Sequence, residues 1–188
     1  MDINCLNFLE RTAELFPNKK AVFCKDKSLT FNQLEANSKK LSCKIPNNKR
    51  NSPVAVFLPK GCDTIVSFIA VLYSGNFYAP IDVKTPINRF KQILKSLDPF
   101  LIITNTSLKS KISDISDCSI LNIDEVDFTN IDKCEIDNWK HVIDTNPVYC
   151  MHTSGSTGNP KGVLIPHKAV IDYIEWTVQN YQIDSNNR

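Results

Sequence analysis

"CMHTSGSTGNPKGVLIPHK", Cys150–Lys168, gathers three of the chain's five glycines together with Thr153, Ser154, Ser156, Thr157 and Lys161. Apolar strings flank it, "VYCMH" (Val148–His152) before and "VLIP" (Val163–Pro166) after, so it reads as a loop joining two strands. Such a loop presents backbone N–H groups with few side chains in the way. Glycine tolerates the positive φ that turns successive N–H groups inward. The hydroxyls add donors and Lys161 adds a cation, and each charge-assisted bond is worth roughly 1.5–3 kcal/mol. The stretch can therefore cradle an anion such as a nucleotide polyphosphate. A polar surface turn explains the same composition equally well.

Spacing removes several familiar readings. A Walker loop needs GxxxxGK followed by Ser or Thr, whereas Lys161 here precedes Gly162 and Val163. A nucleophile elbow needs GxSxG, which neither Ser154 nor Ser156 supplies, and the GxGxxG dinucleotide fingerprint is also missing.

Upstream, the pattern alternates. Leu6, Leu9, Ala13 and Phe16 predict a helix capped by Asn4 and ended by Pro17. "AVFC" and "LTF" predict a hairpin, and Phe31, Leu34, Leu41 and Ile45 a second helix closed by Pro46. "VAVFL" (54–58), "FYAPI" (77–81), "FLIIT" (100–104) and "SILNI" (119–123) read as buried strands. Between them lie a helix from Cys62 to Ser74 and another begun by Thr85-Pro86, with Ile87, Phe90, Leu94 and Leu97 as its stripe. After the loop, a helix from His167 to Tyr181 is expected to turn Val170, Ile174 and Val178 to one side. Strands alternating with helices predict an α/β fold with a largely parallel sheet and flanking helices. The acidic, irregular Asp124–Asn146 reads either as a surface excursion anchored by Trp139 or as a linker, and its apolar Val126, Phe128, Ile131, Ile136 and Val142 argue against a free linker.

Composition narrows the class. At 188 residues the chain can bury roughly 70% of its unfolded surface. Its 42% hydrophobic and 22% charged residues are those of a globular protein. The net charge of +2 comes from scattered Lys and Arg, so no basic stripe predicts a nucleic-acid partner. Thr64–Tyr73 is about half the roughly 20 apolar residues that a membrane span needs. Seven widely spaced cysteines without a CxxC pair predict reduced packing thiols in a cytoplasmic protein.

The order of residues says more. "TSGSTGNPKGV" (153–163) resembles the phosphate-binding loop of the adenylate-forming superfamily of acyl- and aryl-CoA synthetases, luciferases and nonribosomal peptide synthetase adenylation domains. The resemblance extends over "SLTFNQLEANSKKLSCKI" (28–45), the run from Val54 to Leu94, "VIDTNPVYCMHTSGSTG" (142–158) and "PHKAVIDYIEW" (166–176). Within the superfamily, "YAPID", the loop and "IDYIEW" are most similar to amino-acid-activating members, including D-alanine–carrier-protein ligases.

That resemblance implies ATP and Mg²⁺ as cofactors, an amino or other carboxylic acid as substrate, and a phosphopantetheine carrier protein as partner. It assigns Thr153, Ser154, Gly155, Ser156, Thr157 and Gly158 to the β- and γ-phosphates, with Lys161 as the electrostatic catalytic residue. His152 stands where an aromatic or aliphatic residue is commoner, and reads either as a tolerated neighbour of the loop or as a ligand to phosphate or substrate. His167 is expected to cap or pack, and Asp82 to form a structural corner.

By the same resemblance, the Mg²⁺-holding acid, the adenine and amino-acid pockets, the ribose-binding aspartate and a mobile C-terminal domain with its lysine all belong after Arg188. Residues 1–188 are accordingly expected to be a partial adenylation domain, an incomplete N-terminal subdomain of the fold. It would be inactive alone unless a complementary chain supplies the rest, or else a non-catalytic remnant or polyphosphate-binding module. Exposed sheet edges and apolar faces are then expected to promote self-association.

Overall fold

The computed structural model describes residues 2–25, 27–129, 137–154 and 160–184, with only the backbone of Ser154. Helix α1 (Leu6–Leu15) leads into strands β1 (Lys20–Cys24) and β2 (Lys27–Thr30), a separate antiparallel hairpin. There follow α2 (Phe31–Ser42), β3 (Pro53–Val56), α3 (Cys62–Tyr73), β4 (Phe77–Pro80), α4 (Ile87–Leu97), β5 (Leu101–Thr104), α5 (Thr106–Ser113) and β6 (Ser119–Asn122). The chain then reaches β7 (Pro147–Ser154), β8 (Pro160–Pro166) and α6 (His167–Tyr181). Six strands form one sheet in the order β6-β5-β3-β4-β7-β8, parallel throughout except for the antiparallel β7–β8 pair.

Strand periodicity divides the core in two. Val54, Val56, Leu101 and Ile103 pack with Leu34 and Leu41 of α2 and Val66 and Ala70 of α3. The alternate residues Ala55, Phe57 and Ile102 pack with Phe90, Ile93 and Leu94 of α4 and Leu108 and Ile112 of α5. Both faces of the sheet are thus covered, which explains the unbroken apolar runs of β3 and β5.

Local signals fix the ends of the elements. Thr30 and Gln33 make a capping box: the Thr30 hydroxyl accepts from the Gln33 amide at 3.2 Å, and the Gln33 side chain accepts from the Thr30 amide at 3.0 Å. Asn4 serves α1 from one position further out than expected, accepting from Leu6 N–H at 3.0 Å while its own amide donates to the Trp139 carbonyl at 3.0 Å. Thr85-Pro86 precedes α4 as read from the sequence, but the Thr85 side chain does not cap it. Pro86 occupies the N-cap without a side-chain bond, and Thr85 N–H donates to the Asp82 carbonyl in the turn after β4.

Trp139 anchors the acidic excursion, its ring edge-on to Tyr73 at 5.8 Å. Val126 and Phe128 pack on the α2–α3 core, and Lys40 donates to the Phe128 carbonyl. Ile131 and Ile136 lie outside the described residues. Gly75 takes φ +75° after α3, where a Cβ would come within 3.1–3.2 Å of Asn138.

On α6 the buried residues are His167 and Ile171. The expected stripe is only partly realised: Val170 packs inward and Val178 is exposed. Cys5, Cys24, Cys62, Cys118 and Cys150 are free thiols, as read from the sequence. Cys43 departs from that reading, being disulfide-bonded. Among the described residues no helix is long and apolar enough to cross a membrane.

Candidate anion-binding site

The described residues on either side of the loop are paired strands. β7 and β8 run antiparallel with Ser154 opposite Pro160, Thr153 opposite Lys161, and His152 opposite Gly162. The second strand begins at Pro160, three residues earlier than "VLIP" suggests. Of the sequence-predicted site residues, Gly155, Ser156, Thr157 and Gly158 lie outside the described residues, as does the side chain of Ser154.

Thr153 and Lys161 are brought together. As directly opposed partners they share one face of the hairpin, with Cβ atoms about 5 Å apart. Both are exposed, and among the described residues Lys161 has no acidic partner. A hydroxyl and an uncompensated ammonium at the base of a glycine-rich loop are suited to a polyanion.

Gly162 has a packing role. A Cβ there would meet Cys150 Sγ at 2.8 Å and His152 Nε2 at 3.4 Å, so the side chains of Cys150 and His152 lie across the β8 backbone. They occupy the face opposite to Thr153 and Lys161, as strand alternation requires.

On that face His152 is half-buried, and neither ring nitrogen has a hydrogen-bond partner among the described residues. Burial, and then the charge of Arg89, hold its pKa below the usual imidazole range. The ring is therefore neutral near pH 7. It lines a cleft of about 950 Å³ beyond the carboxyl ends of β3, β4 and β7. β3 leads to α3 on one face of the sheet and β4 to α4 on the other, and such divergence opens a crevice in doubly wound sheets.

Of the other histidines and Asp82, only Asp82 lines the cleft. His167 is 2% exposed and accepts from Cys5 N–H through Nδ1, a packing role as expected. His141 is exposed, and Asp82 accepts from Lys84 N–H at 2.8 Å, forming the corner read from the sequence. Arg89 and the cleft were missed. The one signal was an arginine set beside Phe90 in the first turn of an amphipathic helix.

Comparison with known proteins shows the family to which the chain belongs. The chain is 30% identical over 185 residues to a D-alanine–D-alanyl carrier protein ligase of Bacillus cytotoxicus, covering 96% of this chain and 36% of that protein. It is 27% identical over 180 residues to bacitracin synthase 1 of Bacillus licheniformis, covering 95% of this chain and 3% of that protein. The chain thus spans about a third of the length of the carrier-protein ligases it matches, and far less of the synthetases. In fold it is similar to the O-succinylbenzoate coenzyme A synthetase of Bacillus subtilis in complex with AMP, with a TM-score of 0.84 and 21% identity over 97% of this chain and 48% of that one. The family model described as AMP-binding enzyme matches residues 9–187, and the chain belongs to that family.

Proposed function

We propose that this chain supplies the phosphate-holding part of an ATP-dependent ligase that activates a carboxylic acid, and specifically an amino acid, as its acyl-adenylate. In that reaction a carboxylate oxygen attacks the α-phosphorus of ATP, the bond to the β-phosphate oxygen breaks, and pyrophosphate leaves. The segment from Thr153 to Gly158 holds the β- and γ-phosphates, and Lys161 offsets the charge that builds on the leaving group. The observation that carries this reading is the pairing of Thr153 with Lys161 at the base of the loop.

Among the described residues no three His, Cys, Asp or Glu side chains gather as a metal site. A carrier-protein thiol would then attack the acyl carbonyl, the bond to the adenylate phosphate would break and AMP would leave, as the names of the relatives suggest. A second reading is a polyphosphate-binding module without chemistry of its own, which the same pairing of Thr153 with Lys161 would serve.

Equilibrium titration with ATP and with pyrophosphate tests both readings. Saturable binding weakened about tenfold or more by Lys161→Ala is expected from the loss of one charge-assisted contact. Binding indifferent to Lys161 would overturn the loop assignment. Amino-acid-dependent exchange of labelled pyrophosphate into ATP, by the chain alone or with a complementing chain, separates the ligase from the module.

A further inference from the structure

The cleft beside His152 has features that phosphate binding does not use. Its walls are apolar: Val56, Leu58 and Phe68 on one side, Ile81 and Ile93 on the other. Its charged lining is unbalanced, with Lys60, Lys84 and Arg89 against the single acid Asp82, whose carboxylate already accepts from Lys84 N–H. Arg89 is half-buried, yet among the described residues it has neither an ion pair nor a hydrogen bond. A half-buried guanidinium without an anion is costly, and so are two shielded, unpartnered ring nitrogens.

We propose that this cleft is a second binding site, for an organic monoanion with an apolar body, its carboxylate received by Arg89 and His152 and its hydrocarbon laid against Val56, Leu58 and Phe68. The guanidinium fork matches a carboxylate in geometry, and a ring N–H of neutral His152 donates to the same group. A metal is disfavoured by the neighbouring cations. A polyphosphate would bring more charge into apolar walls than one guanidinium can pair. The site is also distinct from the phosphate loop, because His152 and Gly162 lie on the hairpin face opposite to Thr153 and Lys161.

Calorimetric or ligand-observed NMR titration of the full chain tests this, with octanoate as the probe and octan-1-ol, octylammonium and acetate as comparators. The site predicts that octanoate binds about tenfold tighter than any of the three, since both its charge and its chain are used. Arg89→Gln is expected to weaken octanoate about tenfold and leave octan-1-ol unchanged, and Arg89→Lys, which keeps the charge and loses the fork, to fall between. Octanoate binding that Arg89→Gln does not change, or that octan-1-ol equals, overturns the proposal, as does the absence of saturable binding. Lys161→Ala should leave octanoate binding intact and Arg89→Gln should leave ATP binding intact, so failure here and failure of the phosphate-loop reading give different results.

Discussion

His167 Nδ1 accepts a hydrogen bond from the Cys5 amide at 3.1 Å, joining the start of α1 to the start of α6 across 162 positions. Burial pushes the His167 pKa down to about 4. In the unfolded chain the imidazole titrates near its ordinary value of about 6.5. Between those values the unfolded state binds the extra proton, so stability is fully present above pH 6.5 and falls as pH drops toward 4, by on the order of 3 kcal/mol. Chemical denaturation across that window should show this loss, and His167→Gln should flatten it. An unchanged slope in the variant would assign the loss to other groups.

Gly162 permits the close packing of the hairpin. Gly162→Ala places a methyl 2.8 Å from Cys150 Sγ, and overpacking of this kind costs about 1–3 kcal/mol. Removing the sulfur should relieve it, so the double variant Gly162→Ala with Cys150→Ala is expected to be less destabilised than the sum of its parts. A double-mutant cycle by thermal melting checks this, and strict additivity would contradict the contact.

Trp139 holds the excursion to Tyr73 and receives the Asn4 amide on its carbonyl. Trp139→Ala should cost about 3 kcal/mol and release protease-sensitive sites within residues 124–146, whereas Trp139→Phe should cost less. Equal loss in both variants would show that ring packing is not the anchor.

Val163 and Leu164 on the edge strand β8 are exposed, as are Tyr173, Trp176 and Tyr181 on α6. Apolar surface next to an open sheet edge favours association. Sedimentation velocity should show concentration-dependent self-association, reduced by Trp176→Gln combined with Leu164→Lys. A monodisperse monomer at all concentrations would contradict this.

Much of this architecture was legible in the sequence because its signals are local. The apolar runs of β3, β4 and β5, Gly75 after α3 and the paired strings around the glycine loop each declare themselves within a few residues. Trp139 was legible as an anchor because a large aromatic in an acidic segment needs a partner. Thr85 misled because β4 ends in a tight turn that claims its amide, leaving Pro86 to start α4. The α6 stripe misled because the sheet covers only the first turns of the helix, so Ile171 is buried while Val178 faces outward. The cleft was not legible at all, since Leu58, Ile81, Arg89 and His152 come from four separate elements or their connections and meet only through the crossing of the sheet.

The proposed function rests on the segment from Thr153, with Lys161, holding the β- and γ-phosphates of ATP. Phosphorus-31 NMR of MgATP titrated with the chain measures this directly. The β and γ resonances should shift and broaden more than the α resonance, and Lys161→Ala should reverse most of the effect. Equal perturbation of all three, or a spectrum indifferent to Lys161, would contradict it.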